Sequence, residues 1–223
     1  MNVEISFRPS YSLATIQLNP NERIRAEAGA MVGMSPDVAI ETKAEGGLFK
    51  SLGRSLLGGE SFFQNFYQAG PNGGEISVAP ELPGDVFVVD VTEPMLVQSG
   101  SYLASETSVE VNTKLSSKAF LSGEGISMLQ MTGSGKLLLS SYGAILEKTL
   151  VAGEKYIVDT THLVAFNESM NVEMKSVGGF KSTVLSGEGL VVHITGPGKL
   201  YMQTRSPHAF VQWLIPQIPT KSS

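Results

Sequence analysis

The chain contains no cysteine, which excludes structural disulfides, thiolate metal ligands and cysteine nucleophiles together and is compatible with a reducing compartment. No apolar run approaches the ~18 residues needed to span a bilayer. The opening residues Met1-Asn-Val-Glu-Ile-Ser6 lack the basic and apolar regions of a secretory signal. These absences read as a soluble, cytoplasmic protein. Cations are few and scattered singly: 16 Lys and Arg against 21 Asp and Glu give a net charge of -5. Nucleic acid is therefore disfavoured as a partner, since each phosphate contact usually uses a cation. His162, His193 and His208 form no His-Glu-x-x-His or His-x-His cluster, and no serine occupies a Gly-x-Ser-x-Gly elbow. The sequence thus predicts no catalytic site, no cofactor and no enzyme activity.

What is present is turn and strand chemistry: 24 Gly and 11 Pro punctuate short runs of Val, Ile, Phe and Tyr, the pattern of an all-β protein. The chain also repeats itself. Leu121-Ser-Gly-Glu-Gly125, an apolar run and Thr132-Gly-Ser-Gly-Lys-Leu137 recur as Leu185-Ser-Gly-Glu-Gly189, a second run and Thr195-Gly-Pro-Gly-Lys-Leu200. A weaker copy runs from Leu57-Gly-Gly-Glu60 to Ala69-Gly-Pro-Asn-Gly-Gly74. A second phrase, Gly84-Asp-Val-Phe-Val-Val-Asp90, matches Gly153-Glu-Lys-Tyr-Ile-Val-Asp159. The segments 38–43, 109–114 and 172–175 alternate like strands with one wet face. These matches divide a single domain into three β units, at about residues 13–83, 84–152 and 153–206, with a first strand at Met1 to Ile5 outside them. The Thr-Gly-x-Gly elements read as hairpin turns in which glycine supplies positive φ. Side-by-side packing of the units would cover their apolar faces and strand edges.

One stretch departs from this text. Between Gly46-Gly47 and Gly58-Gly59, the residues Leu48, Phe49, Leu52, Leu56 and Leu57 share one side of a helical wheel, with Lys50 and Arg54 together on the other. Glycine pairs at both ends allow this amphipathic segment to swing as a unit, and it is too short to be helical alone in water. Unit three keeps a shortened echo, Gly178-Gly-Phe-Lys-Ser182. At the far end, Ser206-Pro207 reads as an N-cap and first-turn proline for a helix over 207–215, closed by Pro216. Phe210, Trp213 and Leu214 share a face of it and predict an end-cap or an oligomer contact.

The Gly-Gly pair at 46–47, the phrase Gly58-Gly-Glu-Ser-Phe-Phe63, the later Thr-Gly-x-Gly-Lys turns and the apolar tail near Pro216 resemble the altered-inheritance-of-mitochondria protein 24 family along nearly the whole chain. The resemblance implies a fold like the tryptophan RNA-binding attenuation protein, a β-sandwich or barrel related to the double-stranded β-helix and here duplicated within one chain. It also implies relatives that act in organising the mitochondrial inner membrane.

Candidates for function fall at several places in the sequence. Glu60, Glu124 and Glu188 fall at equal intervals and would converge on a metal ion if the units surrounded a pseudo-threefold axis. The competing reading has each accept backbone N–H bonds at its own turn. Thr132-Gly-Ser-Gly-Lys136 is not a phosphate loop, because Gln130 and Leu137 stand where glycine and Ser or Thr are required. His193 shares a strand face with Val191 and Thr195 and should face solvent. The favoured expectation is a β scaffold, assembling as a trimer or larger, that presents the 48–57 segment with Phe62 and Phe63 to a protein partner or to an anionic membrane surface. The alternative is a small-ligand or RNA-binding module using the clefts between units.

Overall fold

The computed structural model describes residues 1–43, 64–112, 127–176 and 190–218. The fold is all-β: among the described residues the antiparallel sheets do not close into a barrel and there is one short α-helix. After β1 (Asn2–Ser6), unit one is formed by β2 (Leu13–Leu18), β3 (Arg23–Glu27), β4 (Met31–Met34), β5 (Val38–Lys43), β6 (Gln64–Ala69) and β7 (Gly74–Val78). Unit two contains β8 (Val86–Val91), β9 (Met95–Gln98), β10 (Tyr102–Glu106), β11 (Val109–Asn112), β12 (Met128–Gly133) and β13 (Gly135–Ser140). Unit three contains β14 (Ile145–Leu150), β15 (Lys155–Asp159), β16 (Leu163–Asn167), β17 (Asn171–Ser176), β18 (Leu190–Thr195) and β19 (Gly198–Gln203). Helix α1 (Pro207–Leu214) follows.

One pairing rule generates the architecture. In every unit the sixth strand lies between the first and third, and the fifth lies between the second and fourth. Each unit is thus two half-sheets. The half-sheets of successive units then join edge to edge, by β3 with β10 and by β9 with β16. The result is the series β1-β2-β7-β4, β5-β6-β3-β10-β13-β8, β11-β12-β9-β16-β19-β14 and β15-β18-β17.

This topology corrects two readings of the sequence. The Thr-Gly-x-Gly elements are not hairpin turns: β12 pairs with β11 and β9, whereas β13 pairs with β10 and β8. The element is a corner at which the chain leaves one sheet and enters the next. Glycine is still required there, because Gly133 has φ 88° and a Cβ would lie 2.3 Å from the Ser108 carbonyl oxygen. The phrase match between residues 84–90 and 153–159 also aligns unlike strands, since β8 is the first strand of its unit and β15 the second. The third unit therefore begins at β14 rather than at residue 153. Local composition, apolar alternation ending in Val-Asp, is common to both strands and misaligned them.

Three cores alternate with the four sheets. The first joins β2 and β7 to β3, β6 and the inner residues of β10 and β13, including Ile16, Ile76, Ile24, Tyr67, Leu103 and Leu138. The second contains Met95, Tyr102, Leu129, Leu137, Leu139 and Tyr201, and the third Leu96, Phe166, Val192, Ile194 and Leu200. Leu137 and Leu139 therefore face one core while Leu138 faces another, which explains why the run Leu137-Leu-Leu139 is apolar without alternation. Units one and two are also tied by a polar lock. Arg8 donates from Nε and Nη2 to the two oxygens of buried Asp85, each at 2.9 Å, and Ser12 Oγ donates to Oδ1 at 2.9 Å.

Candidate interaction surfaces

The residues Leu48, Phe49, Lys50, Leu52, Arg54, Leu56, Leu57, Phe62 and Phe63 lie outside the described residues, as do Glu60, Glu124 and Glu188. The structure does fix what flanks them. The amphipathic stretch connects β5 to β6, which pair from Val38↔Ala69 to Lys43↔Gln64, and the segments with Glu124 and Glu188 connect β11 to β12 and β17 to β18. All three are the connection between fourth and fifth strands.

Helix α1 starts as the sequence predicts. Ser206 is extended (φ -109°, ψ 119°), its Oγ accepts from the Ala209 N–H at 3.1 Å, and Pro207 follows in the first turn. The α-helix ends at Leu214, and a 3-10 turn over Ile215–Gln217 accommodates Pro216. No residue of α1 is buried. Phe210 touches the body through Tyr142, with ring centroids 5.9 Å apart, and stacks on Trp213 at 6.0 Å. Trp213 is 63 % exposed and Ile215 55 %. The lone tryptophan is therefore not driven into the end of a sheet stack; it stands outside, on the side of the helix away from exposed Val211.

A cleft of about 370 Å³ lies where units two and three meet, lined by β8, β9, β14, β16, β19 and the turn from β8 to β9, and its residues include Phe87, Asp90, Glu93, Glu147, Lys199 and Tyr201. Lys199 pairs with Glu147 at 2.9 Å, and the Lys199 N–H donates to Asn167 Oδ1 at 2.6 Å. Burial first, then the charge and hydrogen bond of Glu147, push the Tyr201 hydroxyl far above the ordinary phenol range. It stays a neutral donor at any physiological pH. With Asp90, Glu93 and Glu147 against Lys199, the lining carries more acid than base, and Lys136 pairs with Asp90 at 3.1 Å. Sequence inspection misses this cleft because its residues come from five strands and a turn of two units.

The histidines are placed apart. His193 lies on the outer face of β18 between buried Val192 and Ile194, as its alternation predicts. His162 Nδ1 lies 2.7 Å from the Gln203 carbonyl oxygen, and His208 is exposed on α1. Among the described residues, no three His, Asp or Glu side chains are grouped to hold a metal ion. No helix among them is long and apolar enough to cross a membrane.

The family described as Mitochondrial biogenesis AIM24 matches residues 3–205. An uncharacterised protein of Streptococcus pyogenes serotype M6 is 29 % identical, over 100 % of this chain and 93 % of its own length. Altered inheritance of mitochondria protein 24 of Verticillium alfalfae, a mitochondrial protein, is 26 % identical over 72 % of this chain, and that of Aspergillus flavus is 26 % identical over 78 %. These matches span 42 % and 43 % of the fungal proteins' own lengths. The crystal structure of a Streptococcus pyogenes protein superposes with a TM-score of 0.80 at 25 % identity, covering 97 % of this chain and 99 % of that one.

Proposed function

The chain belongs to the family described as Mitochondrial biogenesis AIM24, and on that premise we propose that it is a non-enzymatic β scaffold that offers apolar surface to a partner protein or an anionic membrane. The observation that carries this reading is the unburied helix α1, on which Val211 and Trp213 are exposed and which is followed directly by exposed Ile215 and Ile218. The amphipathic stretch with Leu52, flanked by Lys50 and Arg54, would act with it. Two cations add about 2 kcal/mol of attraction to an anionic surface, so several copies acting together would be needed for firm attachment.

Flotation with vesicles, with and without anionic lipid, tests the proposal. Wild type should rise with anionic vesicles, and Leu52→Asp and Trp213→Asp should stay below. If none of the three rises, the membrane form of the proposal is wrong and the protein-partner form remains.

A second reading, a module that binds a small ligand, draws support from the cleft between units two and three, whose volume suits a small molecule. Its acidic lining favours a cationic or ring-bearing polar ligand and disfavours RNA.

A further inference from the structure

Strand β1 stands outside the three units yet fills a seat between two of them. It pairs antiparallel with β2, the first strand of unit one, from Asn2↔Gln17 to Ser6↔Leu13. Met1, Val3 and Ile5 pack against the first core together with Val88 of β8, the first strand of unit two. At the head of the strand the terminal ammonium donates to Glu22 and, at 3.4 Å, to Glu106. The Glu22 hydrogen bond outweighs burial and raises the pKa of this amine. An amine caught by two carboxylates thus fixes where the strand begins.

The cleft between units two and three is the same seat one unit further along. The first strands align by their sixth-strand partners, Leu18 with Gly74, Val91 with Gly135 and Leu150 with Gly198. On this alignment β8 takes the place of β2, and Glu147 that of Val88. The β-bulges on β10 and β16, between Tyr102 and Ala104 and between Leu163 and Ala165, put Asn167 where Glu106 stands. The match is chemical as well, since Glu106 accepts the Lys136 N–H at 2.8 Å and Asn167 accepts the Lys199 N–H at 2.6 Å. Glu106 opposes Ile24 and Asn167 opposes Met95, and two residues before each of these comes a glutamate, Glu22 or Glu93. Glu93 and Asn167 both line the cleft, as does the run from Phe87 to Asp90. β8 is the last strand of its sheet, so its outer edge faces this cleft as the edge of β2 faces β1. Asp90 is paired with Lys136 and Glu147 with Lys199, whereas Glu93 is exposed and has no cation beside it among the described residues.

We propose that the cleft binds the amino end of an extended polypeptide from another protein, which adds to the edge of β8 as β1 adds to β2. The expected register sets the second residue of the guest against Asp90, the third against Val89, the fourth against Val88 and the fifth against Phe87, with the first, third and fifth side chains turned into the cleft. Its ammonium lies between the Glu93 carboxylate and Asn167 Oδ1, which keeps a second lone pair beside the one that meets Lys199. Main-chain hydrogen bonds supply affinity, and Phe87, Val89 and Met95 select apolar residues at alternate positions. The inference rests on the reading of this cleft as a ligand site and names its cationic ligand as a peptide amine.

The test uses the full chain and the peptide amide Met-Thr-Val-Thr-Ile-Ser in isothermal titration calorimetry. One peptide should bind per chain, and acetylating its amine should weaken binding about tenfold or more, as losing a hydrogen bond to a charged group does. Glu93→Gln should weaken the free-amine peptide alike and leave the acetylated one unchanged. Thr149→Trp, at an exposed position of the cleft wall, should abolish binding. Circular dichroism should show both variants folded. N-methylation of the peptide at its third or its fourth residue, but at only one of the two, should also abolish binding, because alternate amides of a strand point at its neighbour. No binding at ~1 mM peptide, equal affinity with and without acetylation, full affinity in either variant, or indifference to N-methylation at both residues would each overturn the proposal. Phenethylamine separates it from the cleft reading beneath it. If that amine binds and Thr149→Trp abolishes its binding while the peptide does not bind, strand addition is wrong and the small-ligand site stands; if neither binds, both fall.

Discussion

At the scale of single residues, Asp85 is the most exacting position. Burial alone would raise its pKa, but hydrogen bonds from Arg8 and Ser12, the Arg8 charge and the Val86 N–H outweigh it, and the carboxyl is held below its ordinary range. Asp85→Asn should lower stability by about 2–4 kcal/mol, since it strips a buried charge-assisted network and leaves Arg8 without its bidentate partner. The pH dependence has a definite sign. A carboxyl with a depressed folded pKa binds more protons when unfolded, so its contribution is complete above the unfolded value near ~3.9 and vanishes as pH falls through the folded one. The melting-temperature gap between wild type and Asp85→Asn should therefore be constant at neutral pH and shrink below about pH 4. Gly84 adjoins this lock, and a Cβ there would sit 1.5 Å from the Ser141 carbonyl oxygen. Neither residue announces itself in the sequence, because the partners of Asp85 lie more than seventy positions away.

At the scale of elements, the third strands decide whether units cohere. Leu103 belongs to unit two but is packed in the core of unit one. Leu103→Ala should cost about 2–5 kcal/mol in denaturant unfolding, as for other buried leucines. Val32→Ala, on the edge strand β4 and exposed, should cost much less. Strand identity was largely legible in the sequence: the alternation of 38–43 and 109–112, the outer face of His193 and the Ser206-Pro207 helix start all rest on local periodicity or capping, which act within a few residues. The Gly-x-Gly corners read as hairpins in the sequence for a physical reason. A hairpin and a sheet-to-sheet corner ask the same positive φ of glycine, and only the distant partners of β12 and β13 tell them apart. The candidate contact residues followed the same division, with α1 readable from its cap and the acidic cleft invisible until strands from two units were brought together.

At the scale of the whole molecule, consecutive units share both sheets and cores, so the chain is a short linear array. Stability should be graded along it. Unit two is joined to a neighbour on both sides, whereas β4 and β15 each lack the pairing their counterparts have. Native-state hydrogen exchange should accordingly find the slowest amides in β10, β13, β16 and β19, and faster exchange in β4 and β15. Uniform protection across all three units would contradict this gradient.

The same side of the bulge on β10 and on β16 delivers one leucine or valine across a boundary into its predecessor. A chain built this way cannot be shortened neatly. Cutting after Ser140 would leave Val97 and Leu96 without the strand that shields them, and the fragment would be sticky where the parent is closed. Gene rearrangements that gain or lose a whole module therefore face a stricter rule than modularity suggests, because units one and two are each completed by a strand that the next unit encodes.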